Sequence, residues 1–276
     1  MKVAITGSSG HVGKAIVEMA LAQGHSVVCI DRVKPEKVID QSDVKYIQAD
    51  LTDYAAFENA LRGCDALVHM AAIPAPGSHP DHEVHNNNVV SSYNALRAAV
   101  EVGIQRVCQA SSVNAMGLAY SRWPHFDYFP LDEQHPTYNE DPYSLSKWIC
   151  EEQGNSFARR YEDMVIASMR FHWVVSDRAT TVAADGYSET EFGAKNLWAY
   201  VRSDASARAC LSSLTADFKG HEVFFLAAPD TISETPSLEL KQKFFPDVPV
   251  RGDLSGTKSF FDSTKAERLL GWKHDQ

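Results

Sequence analysis

Tyr143 and Lys147 stand four residues apart in Tyr143-Ser144-Leu145-Ser146-Lys147. On a helix that spacing puts both side chains on one face. A phenol with an ordinary pKa near 10 is a poor base at neutral pH. Lowering it by about three pH units needs about 4 kcal/mol of preferential phenolate stabilisation, and a neighbouring ammonium is one source of it. Upstream, Ser112 in Ala110-Ser111-Ser112-Val113-Asn114 offers a hydroxyl that would hydrogen-bond a reacting oxygen and hold it near Tyr143. Together the three residue types suit proton exchange with a substrate hydroxyl. The plainer alternative is a surface Tyr–Lys pair and a turn serine.

A second group suits phosphate. Thr6-Gly7-Ser8-Ser9-Gly10-His11-Val12-Gly13 follows an apolar run and opens a helical pattern. Gly7 suits a tight turn, Gly10 a close backbone approach to a pyrophosphate, and Gly13 close packing of helix on sheet. Free N–H groups at the helix start attract an anion, so Gly7, Ser9, Gly10, His11, Val12 and Gly13 are candidate cofactor contacts. Eighteen residues beyond Gly13, the second apolar run ends at Asp31. A carboxylate there accepts from ribose hydroxyls and repels a 2′-phosphate, which favours NAD over NADP. Arg32 beside it is either a 2′-phosphate ligand, a solvated charge or a group stacked on adenine.

These residues need a scaffold that alternates strand and helix. Apolar runs predict strands over residues 2–6, 26–31, 44–48, 66–70, 106–110 and 165–170, with helices over 11–23, 54–62, 89–102 and 142–161. Asp141 and Pro142 are a natural cap and first residue for the last of these. That alternation predicts an α/β fold, a Rossmann-type doubly wound parallel sheet with helices on both faces. Beyond residue 176 the pattern loosens. A loop is expected over 179–193, a helix over 204–214, a strand over 222–226, an irregular Pro-rich stretch over 229–249 and a short helix over 263–271. The whole chain, 1–276, reads as a single domain in which residues from about 177 onward form a small C-terminal substrate-binding lobe.

The composition excludes several classes. At 276 residues, with 44% hydrophobic and 22% charged residues, the chain is an ordinary globular sequence. A net charge of −10 disfavours nucleic acid and anionic lipid as partners, and no apolar run suits a membrane span. The opening apolar stretch runs into the glycine turn and does not read as a signal peptide. Five scattered cysteines without a CxxC pair are expected to be buried and reduced, in a cytoplasmic protein. His79, His82 and His85 would share a face only on a helix, and Pro80 argues for a loop, so no metal is expected.

The glycine turn, Tyr-x-x-x-Lys and the upstream serine together resemble the extended, epimerase/dehydratase-like short-chain dehydrogenases/reductases. The resemblance covers nearly the whole chain. It matches Asp50-Leu51 to an adenine-contacting position, His69-Met70-Ala71-Ala72 to the fourth-strand motif, Asn88 to an asparagine-led helix start, and residues 263–272 to a closing segment. It implies that Asp50, Leu51, Met70, Ala71, Ala72 and Asn88 contact the cofactor. It also implies that Lys147 binds the nicotinamide ribose and that Ser112, rather than Ser111, is the catalytic serine beside Tyr143. A homodimer built on helices 89–102 and 142–161 follows from the same likeness.

Within that family the expected reaction is hydride transfer between a secondary alcohol or sugar-like hydroxyl and NAD. The alternatives are an epimerase that oxidises transiently and a non-catalytic NAD(P) sensor. The residues nearest in pattern are those of uronate dehydrogenase-like members, although Val113-Asn114 and Pro74 stand where that subgroup has Asn-His and serine. Ser112, Asn114, His172 and Arg178 are the substrate candidates, with Arg178 a possible carboxylate clamp or a solvated loop charge. His172 either lines the pocket or hydrogen-bonds at a strand end. Asn114 either meets substrate hydroxyls or shapes a turn. The aromatic run 123–130 either walls the pocket or packs a long loop onto the domain.

Overall fold

The structure, a computed structural model, describes residues 1–33, 39, 41–179 and 190–276. Seven parallel strands form one sheet in the order β3-β2-β1-β4-β5-β6-β9. They are β1 (Lys2–Thr6), β2 (Ser26–Asp31), β3 (Val44–Gln48), β4 (Ala66–His69), β5 (Arg106–Ser112), β6 (Val165–Phe171) and β9 (Gly220–Leu226). Strands β1, β2 and β4 are near-continuous apolar runs because both faces of the sheet are covered there. Along β1, Val3 and Ile5 pack into one cluster with α1 (His11–Ala22), α6 (Ser203–Ser213) and α8 (Thr264–Leu270). Ala4 between them packs into the other, with α2 (Tyr54–Leu61), α3 (Asp81–Glu101) and α4 (Pro142–Arg160). This is the doubly wound Rossmann-type architecture.

Several elements differ from the sequence reading. Helix α3 begins eight residues before the expected 89, at Asp81, directly after Pro80, its N-cap residue. Proline is disruptive inside a helix but not at its start, and Asp81 and Glu83 in the first turn suit the helix dipole. His82 and His85 are therefore helical, and Asn88 lies in the helix interior rather than at its start. Strand β5 runs on to Ser112. The stretch expected to be irregular contains α7 (Ser237–Phe244). A two-stranded parallel sheet pairs β7 (Val174–Val175) with β8 (Val201–Arg202), too short to leave a sequence signal. Of the loop expected over 179–193, residues 180–189 lie outside the described residues, and α5 (Glu191–Lys195) follows them.

The aromatic run 123–130 packs rather than walls. Phe126 and Phe129 enter an apolar cluster with Trp198, Phe245 and Phe260, and Trp123 lies 5.6 Å from Phe245 between ring centroids.

Helix α4 is fixed at several points. Asp141 caps it by accepting from the Tyr143 and Ser144 N–H groups, both at 2.9 Å. Further along, buried Glu151 accepts from the Ser111 hydroxyl at 2.5 Å and from Arg170 through two bonds of 2.8 Å. The Glu151 and Arg170 side chains are 4% and 6% exposed, so their pairing is in a dry environment. Removing one member of such a pair strands the other charge. Glu151→Ala is therefore expected to lower unfolding stability by about 3–5 kcal/mol, measured by urea titration. A loss below about 1 kcal/mol, the level of an exposed pair, would contradict this role.

Candidate active site

At the C-terminal end of β1 the chain turns at Gly7, whose φ is +65°. Gly10 N–H closes the turn on the Gly7 carbonyl at 3.0 Å. A Cβ on Gly13 would sit 2.1 Å from the Gly7 oxygen, and one on Gly7 would sit 2.8 Å from the Ala71 nitrogen. Only glycine allows α1, the turn and the end of β4 to approach this closely. Thr6 locks the same corner: its hydroxyl accepts from Met70 and Ala71 N–H at 3.1 and 3.2 Å. Its own proton is thereby directed to Nδ1 of buried His69, 2.9 Å away.

Over this turn lies a groove of about 570 Å³. Gly7, Ser9, Gly10, His11, Val12 and Gly13 line one part of it. Asp31, Arg32, Asp50 and Leu51 line the far end, and Met70, Ala71 and Ala72 the floor. The Asp31 carboxylate is held by Ser9 N–H at 2.9 Å and Val33 N–H at 3.0 Å. Two Thr52 hydrogen bonds hold the Asp50 carboxyl below its usual range. Asn88 is not part of the lining. Its buried amide accepts from Ile73 N–H at 2.8 Å and donates to the Ile73 carbonyl and Ser146 hydroxyl, both at 3.1 Å. It ties the segment after β4 to α4, while Asn87 and Ser91, which the sequence reading passed over, line the groove.

A second cavity of about 620 Å³ shares His11, Val12, Met70, Ala72 and Pro74 with the groove, so the two spaces are continuous. Ser112, Tyr143 and Lys147 all line it. Ser112 ends β5, and its hydroxyl caps a short 3-10 turn by accepting from Asn114 N–H at 3.1 Å. Asn114 lies beside it, with its side-chain oxygen taken by Ala119 N–H at 2.9 Å. The Lys147 Nζ is 5.7 Å from the Tyr143 ring centroid and donates to the Ala110 carbonyl at 2.9 Å.

Burial dominates the electrostatics of this corner. It raises the Tyr143 pKa above the ordinary phenol value, with Tyr120, Cys150 and Asp141 adding to the rise and the Ser112 hydroxyl opposing it. It lowers that of Lys147, against the pull of Cys150 and Glu151. The expected phenolate-stabilising effect of Lys147 is thus outweighed: in the chain itself Tyr143 is held protonated. Enclosure of the phenol is the largest cause of that rise.

Two substrate candidates are committed elsewhere. His172 lines the cavity, but its Nδ1 accepts from Trp173 N–H at 2.6 Å and its Nε2 meets the Asn196 carbonyl at 2.8 Å. Arg178 is outside the lining and pairs with Asp230 at 3.0 Å while donating to the Thr231 carbonyl. The aromatic wall comes instead from Tyr120, Phe171, Trp173 and Phe192. Of these, Tyr120 follows the Ser112 turn closely enough to have been considered from sequence. Phe192 and Asn196 carry no signal that links them to Tyr143.

Residues 3–185 match the NAD dependent epimerase/dehydratase family, and the chain belongs to that family. L-arabinose 1-dehydrogenase (NAD(P)(+)) of Haloferax volcanii is 30% identical over 181 residues, 63% of this chain and 68% of that protein. An uncharacterised Mycobacterium tuberculosis protein is 34% identical over 112 residues, 41% of this chain, and the matched stretch spans 12% of that protein. A mutated uronate dehydrogenase superposes with a TM-score of 0.72 at 20% identity, covering 100% of this chain and 82% of that one. UDP-glucose 4-epimerase of Thermotoga maritima gives the same TM-score and identity, covering 100% and 94%. At such identity these two structures share the fold alone. No helix among the described residues is long and apolar enough to cross a membrane.

Buried histidines, two beside the site and His221 at the start of β9, make stability pH-dependent. Burial depresses the pKa of His69 to about 3 and of His172 and His221 to about 4. A depressed folded-state pKa means that the unfolded chain binds protons more readily. The corresponding stability is present above the unfolded value of about 6.5 and is lost as pH falls toward the folded values. Urea unfolding midpoints are expected to drop steadily from pH 6.5 to 4, with a shallower drop in His172→Gln. Identical slopes for the two proteins would contradict this assignment.

Proposed function

We propose that the protein is an NAD-dependent oxidoreductase that moves a hydride between a secondary, sugar-like hydroxyl and NAD. The observation that carries this reading is the convergence of Tyr143, Lys147 and Ser112 on a cavity continuous with the glycine-turn groove. The groove fits a dinucleotide. A Cβ at Gly13 would meet the Gly7 oxygen at 2.1 Å, so glycine there lets the α1 N-terminus sit against the turn that lines the groove, and the groove's far end presents the Asp31 carboxylate, which suits ribose hydroxyls and disfavours a 2′-phosphate. The α1 N–H groups would hold the pyrophosphate. Arg32, Asp50 and Leu51 would flank the adenosine end, and Met70, Ala71 and Ala72 would lie beneath the cofactor. Bound there, NAD supplies the hydride acceptor.

The chain's own residues handle the proton. Ser112 hydrogen-bonds the reacting oxygen and holds it at the Tyr143 hydroxyl. Tyr143, held protonated by burial in the chain itself, donates to a carbonyl oxygen in reduction; in oxidation it takes the alcohol proton as the phenolate, a form favoured by the Lys147 ammonium and by the positive charge that a bound NAD⁺ would bring. Lys147 orients the cofactor ribose and provides the positive charge nearest the phenol. Asn114 is placed to meet a further hydroxyl. The segment from about residue 177 contributes to the substrate wall through Phe192 and Asn196. The five buried, unpaired cysteines support a cytoplasmic setting.

Tyr143→Phe tests the mechanism by removing the proton carrier while keeping the ring. Turnover is expected to fall about 100-fold or more, with NADH affinity unchanged by fluorescence titration. Near-native turnover would overturn the assignment. Lys147→Met is expected to lower both rate and NADH affinity, and Ser112→Ala the rate alone. Net NADH formation separates this activity from epimerisation.

The proposal includes a homodimer formed through α3 and α4. These helices pack on each other in the fold, and Val90 and Tyr93 leave apolar surface exposed on α3. Light scattering is expected to give twice the 30.6 kDa chain mass. A single chain mass at micromolar concentration would rule the dimer out.

A further inference from the structure

Resting on the oxidoreductase reading, the cavity's charge pattern assigns a substrate class: we infer that the site takes an uncharged ring polyol, such as a free aldose, rather than a sugar acid, sugar phosphate or nucleotide sugar. Among the described lining residues there is no arginine, aspartate or glutamate, and Lys147 is the sole lysine. Its ammonium already donates to the Ala110 carbonyl at 2.9 Å and lies beneath the Tyr143 ring. Both nitrogens of His172 are used by backbone groups. His11, the remaining basic lining residue, belongs to the first turn of α1, on the groove side.

The cations on the flanking segments are committed as well. Arg178 pairs with Asp230 at 3.0 Å, Lys195 with Glu191 at 3.2 Å and Arg170 with Glu151 at 2.8 Å. Residues 180–189, Thr-Thr-Val-Ala-Ala-Asp-Gly-Tyr-Ser-Glu, contain no lysine, arginine or histidine, so that stretch of sequence has no cation to contribute. A carboxylate or phosphate entering this cavity would lose hydration without gaining a counter-charge, which is unfavourable. The chain's net charge of −10 adds a long-range repulsion of the same sign.

What the cavity does offer suits a neutral ring. Tyr120 stands edge-on to Tyr143, at 5.8 Å and 88°, and with Phe171, Trp173 and Phe192 it lines the cavity that Tyr143 also lines. Such faces pack against the C–H side of a sugar ring. The hydroxyl of Ser112 and the amide nitrogen of Asn114 then serve ring hydroxyls, which need partners but no counter-charge.

The test compares matched sets at saturating NAD⁺: D-galactose, D-galacturonate, galactose 6-phosphate and UDP-galactose, the corresponding D-glucose set, and L-arabinose and D-xylose. Binding of each compound to the NADH-saturated protein is measured by calorimetry. A neutral sugar is expected to exceed its charged counterparts by about tenfold or more in kcat/KM. A preference for the acid, phosphate or nucleotide with NADH formed would overturn the inference and leave the oxidoreductase reading standing. Binding of neutral sugars without NADH formation would overturn that reading and support the inference. Absence of neutral-sugar binding would overturn the inference. Phe192→Arg places a cation at the cavity wall and is expected to move the uronate-to-sugar ratio, by rate or by binding, about tenfold toward the uronate. An unchanged ratio would show that missing charge does not set the preference.

Discussion

The Gly7 carbonyl oxygen is the point on which the rest of the site is built. Helix α1 begins so close to it that a methyl group on Gly13 would lie 2.1 Å away. On the other side of the turn, Gly7 itself lies against the backbone of Ala71. Three backbones, from β1, α1 and the end of β4, therefore meet with no side chain between them. The Thr6 hydroxyl accepts from two N–H groups at that junction and donates its own hydrogen bond to Nδ1 of a neutral His69. The outcome is a groove whose walls are main chain, able to approach a pyrophosphate closely, with Asp31 fixed at its far end.

The Tyr143 corner is built by a different means. Helix α4 carries Tyr143 and Lys147, and buried polar contacts cap it and tie it to β5, β6 and α3. Asp141 caps it, Asn88 reaches Ser146, and Glu151 bridges Ser111 and Arg170. Because Ser111 precedes Ser112, the Glu151 contact ties the strand carrying the serine directly to the helix carrying the tyrosine. The enclosure that makes these contacts strong also opposes charge at Tyr143 and Lys147, raising the pKa of the first and lowering that of the second.

The scaffold was legible where burial imposes a simple pattern. Strands β1 and β2 begin and end where their apolar runs do, since both faces of the sheet are covered there, and the half-exposed edge strand β3 ends where its Val44, Tyr46 and Ile47 pattern does. The glycine turn and the Tyr143–Lys147 spacing were legible because backbone clearance and helix geometry restrict the residue types. Helix α3 was read short because residues 81–88, Asp-His-Glu-Val-His-Asn-Asn-Asn, are mostly polar and border the groove, which hides the apolar periodicity. Asn88 was read as a cofactor contact, yet its amide satisfies Ile73 and Ser146; His172 and Arg178, each left open between a ligand role and a structural one, hydrogen-bond Asn196 and pair with Asp230, His172 while still lining the cavity. Composition cannot tell a polar side chain that faces a cavity from one that closes a backbone. The aromatic wall was missed for a related reason: Tyr120, Trp173 and Phe192 are brought together only by the tertiary fold, whereas the conspicuous run at 123–130 is spent on the Phe245 and Phe260 cluster.

The central claim is that the groove and the Tyr143 cavity are one continuous site. A crystal structure of the NADH complex tests it most directly. The account predicts the pyrophosphate against the first turn of α1, the adenosine ribose on Asp31 and the nicotinamide ring in the cavity beside Tyr143 and Ser112. A nicotinamide directed away from Tyr143, or a cofactor seated outside the glycine turn, would contradict it.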